Sequence, residues 1–108
     1  LTTDHSMVQE MVDNGDLTEQ EAKFHPHKNI ITRVLGVNPD IKVDYREACL
    51  ESGDILLLCT DGLTNYVDEE IMGSECDGKT LEEYCNALIE SAKNGGGGDN
   101  ITVVAMRF

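Results

Sequence analysis

Apolar positions change their spacing from segment to segment along this chain, and the changes mark its elements. The clearest helical stripe is Leu81, Tyr84, Cys85, Leu88, Ile89 and Ala92, which predicts a helix over residues 81–93. Thr80 followed three residues on by Glu83 is a capping box at its start. Asn94 and the run Gly95 to Gly98 end it. Met7, Val8, Met11 and Val12 also recur at helical spacing, after a candidate N-cap at Ser6 and before the stop signal Asn14-Gly15. Thr18 with Glu21 marks a second capping box, predicting a short helix from Glu19 to about Phe24. His25-Pro26 closes it, because the residue before proline avoids the α region.

Strand patterns lie between and after these helices. Residues 30–35 are β-branched and apolar and end at Gly36, which predicts a strand. In residues 41–50, Ile41, Val43 and Tyr45 alternate with Lys42, Asp44 and Arg46, the pattern of a half-exposed strand. Ser52-Gly53-Asp54 turns the chain into residues 55–60, a strand apolar on both faces and therefore expected to be covered on both. A short helix is expected near Asp68, over residues 67–72. A closing strand follows Asp99, in the run Asn100 to Met106. A lone amphipathic helix does not stand by itself, since ordering each residue costs about 1–2 kcal/mol. The helix over 81–93 must lie on a sheet. The expected class is an α+β layered domain with an antiparallel sheet.

Composition adds a charge constraint. The 108 residues carry 21 acidic and 8 basic side chains, a formal net charge of −13. That argues against a nucleic-acid partner, which needs clustered Lys and Arg. It suits cation binding or a soluble acidic surface. The 4 cysteines are Cys49, Cys59, Cys76 and Cys85, with no C-x-x-C pair and no zinc-ligand spacing. Cys59 in an apolar strand and Cys85 on a helix stripe read as buried free thiols, which suit a cytoplasmic, reducing setting. No apolar run is long enough to span a bilayer.

Candidate chemistry rests on two carboxylates. Asp61 follows the strand 55–60 and precedes Gly62; Asp99 precedes the closing strand. If the strands are antiparallel neighbours, both carboxylates stand at one sheet edge, where a hard divalent cation would find oxygen donors. Each dipeptide alone is also an ordinary turn signal. An acidic Ca²⁺ site is a weaker reading, because no EF-hand loop is present.

The chain resembles the C-terminal part of the bacterial-type metal-dependent Ser/Thr protein phosphatases, the protein phosphatase type 2C family. Leu1-Thr2-Thr3-Asp4-His5-Ser6 is similar to that family's L-T-x-D-H-S. Gly15-Asp16-Leu17-Thr18 through Ala22, His25-Pro26 and onward to Arg33 resembles G-x-I-T-x-x-E-A…H-P…N-x-I-T-R. Gly53-Asp54-Ile55 to Asp61-Gly62-Leu63-Thr64 resembles G-D-x-L-L-L-C-S-D-G-L-T, with Thr60 where serine is commoner. Gly98-Asp99-Asn100-Ile101-Thr102 resembles G-x-D-N-I-T.

This resemblance implies part of a four-layer α-β-β-α sandwich with antiparallel sheets, its N-terminal half missing. It implies that Asp61 and Asp99 are ligands of a centre of two or more Mg²⁺ or Mn²⁺ ions. A metal-activated water would attack phosphorus in phosphoserine or phosphothreonine, with no phosphoenzyme. Residues 5–33 would form a flap-like helical segment in which His25 and Arg33 contact substrate. Both also have plain readings, His25 as a helix-end residue and Arg33 as a strand-edge ion pair. Asp4 and His5 belong to a family motif and read equally as a structural turn. No R-x-x-N-E-D-like or D-G-M-G-G-like stretch occurs, so residues 1–108 are expected to be the C-terminal portion of one catalytic domain, inactive alone, with the missing half holding strands that cover residues 55–59. The implied partners are phosphoprotein substrates, opposite a Ser/Thr kinase, with neither nucleic acid nor membrane. The competing reading is a non-catalytic acidic interaction module derived from a truncated phosphatase domain, self-associating through exposed sheet edges.

Overall fold

The computed structural model describes all of residues 1–108, which divide into two compact units, residues 1–49 and residues 50–108. The N-terminal unit holds two short helices, α1 (Met7–Asp13) and α2 (Glu19–Lys23). Both start where the capping residues put them. The Ser6 hydroxyl accepts from the Gln9 amide at 3.2 Å. At α2 the Thr18 hydroxyl accepts from the Glu21 amide at 3.1 Å while the Glu21 carboxylate accepts from the Thr18 amide at 3.4 Å. Such caps satisfy amides that have no partner inside the helix, each worth about 1 kcal/mol.

The two strands expected in this unit do not form ladders. Ile31 makes one antiparallel bridge with Ser6, closed by the Met7 amide on the Ile30 carbonyl and the Thr32 amide on the His5 carbonyl. Residues 41–50 follow no regular element, and Val43 is 78% exposed. The physical reason is pairing. A β-branched or alternating pattern specifies a surface that fits a sheet, and only a neighbouring strand satisfies the backbone groups that go with it.

The C-terminal unit holds the sheet: β1 (Ile55–Cys59) and β2 (Val103–Arg107) pair antiparallel, with Leu57 opposite Ala105 and Cys59 opposite Val103. Three helices belong to it: α3 (Asp61–Thr64), α4 (Glu69–Ser74) and α5 (Leu81–Asn94). The capping box at Thr80 and Glu83 is complete in both directions. The stripe of α5 buries Tyr84, Leu88 and Ala92 together with Leu63 and Val67, and Ile55, Leu57, Val103 and Ala105 pack against that cluster from the sheet. The Tyr84 hydroxyl donates to the Met72 carbonyl at 2.9 Å, and burial pushes the phenol above its ordinary pKa.

The helices of this unit cover one face of the sheet; cover for the other was expected from strands of the missing half. By the alternation of strand side chains, Leu56, Leu58, Val104 and Met106 share the opposite face. Leu58 and Val104 are each 52% exposed and Met106 42%. Two strands under a single helical layer leave the second face bare. Cys59 is exposed rather than buried, and no cysteine forms a disulfide. The closing strand after Asp99 forms as β2, beginning at Val103. The shape of the unit is therefore mixed helix and antiparallel strand, one helical layer on one sheet layer.

Candidate metal-binding edge

The antiparallel register brings Asp61 and Asp99 to the same end of the sheet. β1 stops at Cys59, and the Thr60 amide donates to the Thr102 carbonyl at 3.1 Å. The Thr102 amide donates to the Thr60 hydroxyl at 3.1 Å, and that hydroxyl lies 3.3 Å from the Asn100 carbonyl. These bonds extend the strand pairing past its regular end and tie the residue before Asp61 to the segment just after Asp99. A small hydroxyl side chain at position 60 is thus a cross-strand link.

Asp61 is the first residue of the single turn α3, with Thr60 at the N-cap. A carboxylate is favourable there against the exposed amides of the turn. The turn itself was not visible as a helix in the sequence, because four residues carry no periodicity. On its inner side Gly62 and Leu63 are buried. Gly62 lies so close to the opposite chain that an added Cβ would overlap the Asn100 carbonyl oxygen and stand 2.9 Å from its carbon. Glycine is required here for close approach of two backbones, not for an unusual dihedral.

The two carboxylates differ in engagement. The Asp61 side chain is exposed. Asp99 is exposed too, and its Oδ1 accepts from the Asn100 amide at 2.7 Å, which leaves the second oxygen to other partners. The pair is a hard-oxygen donor set at a backbone-tied edge, which suits Mg²⁺ or Mn²⁺. No group of three or more His, Cys, Asp or Glu side chains converges in this chain. The two carboxylates stand as a pair.

In the N-terminal unit, Arg33 donates from Nη1 to Asp44 at 2.9 Å and to the Lys42 carbonyl at 3.1 Å. Arg33 thus forms an ion pair with Asp44, though residues 30–35 form no strand there. His5 joins the same carboxylate at 2.8 Å. The His5 hydrogen bond, and then the Arg33 hydrogen bond, hold the Asp44 carboxyl down to about 2. His25 accepts the His27 amide at Nδ1, 3.1 Å away, and the two rings stand 5.7 Å apart at 48°. Asp44 could have been suspected from its place in the alternating run 41–46, although nothing local pointed to His5 as its partner.

Comparison with known proteins places this arrangement. The stage II sporulation protein E (SpoIIE) family matches residues 17–108. Protein phosphatase PhpP of Streptococcus pneumoniae is 46% identical over 104 residues, covering 95% of this chain and 42% of that protein. Among solved structures, serine/threonine phosphatase Stp1 from Staphylococcus aureus superposes with a TM-score of 0.96 at 34% identity, over 100% of this chain and 43% of that one. The catalytic domain of the serine threonine protein phosphatase PstP, in complex with two manganese ions, superposes with a TM-score of 0.78 at 38% identity, over 97% of this chain and 43% of that one. The chain thus spans less than half the length of these relatives.

Proposed function

The chain belongs to the stage II sporulation protein E family and is homologous to bacterial serine/threonine phosphatases, and from that premise we propose that it is the C-terminal portion of a catalytic domain that hydrolyses phosphoserine and phosphothreonine on proteins. The observation that carries this reading is the backbone-tied edge that presents Asp61 and Asp99 together. Two Mg²⁺ or Mn²⁺ ions, when bound, supply a water of lowered pKa and polarise the phosphoryl oxygens. The residues of this chain have the simpler task of holding carboxylate oxygens at fixed positions. Asp61 does so from the first position of α3, where the backbone turns away at Gly62. Asp99 does so from a segment pinned to the Thr60 hydroxyl through Asn100 and Thr102.

A partial donor set binds divalent ions weakly, because affinity depends on ligand charge and number. The chain by itself is therefore inactive, and the remaining carboxylates come from the rest of the domain. Of the two flap residues, Arg33 is engaged by Asp44 and would have to leave it to touch substrate; His25 has only its Nδ1 engaged, by a local amide. The four cysteines, none in a disulfide, suit a reducing cytosol. Opposition to a Ser/Thr kinase follows from the substrate class.

The bare apolar face of Leu58, Val104 and Met106 favours a second reading, an interaction module that associates through this sheet. The deciding experiment is hydrolysis of a phosphothreonine peptide with Mn²⁺, run on residues 1–108 and on the full-length protein, together with solution mass. The proposal expects turnover from the full-length protein alone. Turnover by residues 1–108 would refute the partial-site argument. An inactive full-length protein and a dimeric chain would favour the interaction module.

A further inference from the structure

Four consecutive glycines lead into Asp99, and a loop of that composition is expected to be mobile. Here it has a template. Tyr66 lies two residues beyond the end of α3 and is half-buried against the core cluster. A Cβ on Gly98 would overlap the Tyr66 hydroxyl and stand 3.3 Å from Cζ. One on Gly96 would stand 2.9 Å from Tyr66 Cε1 and 3.2 Å from Cδ1; one on Gly95 would stand 3.0 Å from the Tyr66 carbonyl oxygen. The loop backbone is therefore laid along the tyrosine from its main chain to its hydroxyl. The Gly97 amide, donating to the Ala92 carbonyl at 3.1 Å, fixes the start of the loop against α5.

We propose that Tyr66 is a positioning residue whose ring, by templating Gly95–Gly98, fixes Asp99 relative to Asp61. The covalent distance is short on both sides. Tyr66 lies five residues after Asp61, and the glycine its hydroxyl meets immediately precedes Asp99. With the close contact of Gly62 and Asn100, this gives two clamps between the Asp61 turn and the Asp99 segment. A carboxylate delivered by an untethered glycine loop would lose conformational entropy each time it bound an ion. A loop already seated on the ring has lost that freedom beforehand. The glycines then serve close approach rather than flexibility.

This inference rests on the metal reading of Asp99, and its test separates the two. Mn²⁺ dissociation constants are measured by calorimetry on the full-length protein and on Asp99→Asn, Tyr66→Leu, Tyr66→Phe, Gly98→Ala and the Tyr66→Leu/Gly98→Ala double variant. Backbone amide exchange is followed over residues 95–100 without metal. Asp99→Asn must weaken Mn²⁺ binding, and if it does not, the metal reading and this inference both fall. Tyr66→Leu is expected to weaken binding about 10-fold, the scale of lost positioning contacts at metal sites, and to speed exchange at residues 97–100. Tyr66→Phe keeps the ring against Gly96 and restores tight binding. Gly98→Ala, which leaves the core intact, should weaken binding only while the tyrosine is present, so the double variant is no worse than Tyr66→Leu alone. If Asp99→Asn weakens binding while Tyr66→Leu leaves affinity and exchange unchanged, or if the two effects simply add, the template is overturned and the metal reading stands.

Discussion

Replacing Gly62 with alanine sets two effects of opposite sign against each other. Gly62 sits inside the α3 turn, and its dihedrals suit any residue. On helix propensity alone, alanine should stabilise by about 1 kcal/mol. Against that, the new Cβ would overlap the Asn100 carbonyl oxygen and press on its carbon at 2.9 Å and on Ile101 Cα at 3.4 Å. Those atoms are backbone, and the cross-strand bonds of Thr60 and Thr102 hold them in place. No side chain can swing away. Overpacking of this kind costs about 1–3 kcal/mol, and a backbone obstacle puts it at the upper end, so the net effect is a destabilisation of about 2 kcal/mol. With a urea slope near 2 kcal/mol/M, the midpoint should fall by about 1 M. The matched control is Gly73→Ala in α4, where an added Cβ meets nothing within 4 Å and propensity acts alone, raising stability by up to about 1 kcal/mol. A Gly62→Ala protein with an unchanged or higher midpoint would refute the close-approach argument for this edge.

Other consequences follow from the same packing. Leu88 is 0% exposed, and Leu88→Ala should lower unfolding free energy by about 2–5 kcal/mol in equilibrium denaturation; less than 1 kcal/mol would mean that α5 is not seated on the sheet. Thr80→Ala removes one arm of the capping box and should cost about 1 kcal/mol, read as faster amide exchange over residues 81–84. Asp44 has its carboxyl held down to about 2 from an ordinary 3.8, so its pairing with His5 and Arg33 contributes fully above the ordinary value and is lost as pH falls through about 2. Carboxyl-carbon NMR should place the Asp44 midpoint there, and Arg33→Ala or His5→Ala should each raise it; an unmoved midpoint would dissolve the assigned pairing.

What was legible in the sequence was what local chemistry decides. Ser6, Thr18 and Thr80 announced three helix starts through their own side chains, and the stripe of α5 announced its buried face. β1 and the turn at Gly53 were equally plain. Patterns that need a distant partner misled. Residues 30–35 and 41–50 have strand-like composition, yet one bridge is all the pairing they make. Residues 55–59 read as covered on both faces; the helices cover the face of Ile55 and Leu57, and the other was expected to be covered by strands outside residues 1–108.

The candidate site divides in the same way. Asp61 and Asp99 stood out because each borders an apolar run, and antiparallel pairing did bring them to one edge. The helical turn at Asp61 and the role of Tyr66 stayed hidden. A four-residue turn has no period to detect, and Tyr66 declares itself only through three glycines, Gly95, Gly96 and Gly98, about thirty residues away. Asp44 was assigned to the polar side of a strand, and its actual partners come from residues 5 and 33.

The most direct test of the central claim is Mn²⁺ titration of the full-length protein with Asp61→Asn and Asp99→Asn made singly. Each substitution removes one anionic oxygen donor while keeping its shape, so each should weaken Mn²⁺ binding and Mn²⁺-dependent phosphopeptide hydrolysis together, with the folded state retained. Two variants that bind Mn²⁺ and turn over substrate as the unsubstituted protein does would contradict the assignment of this sheet edge as part of a metal centre.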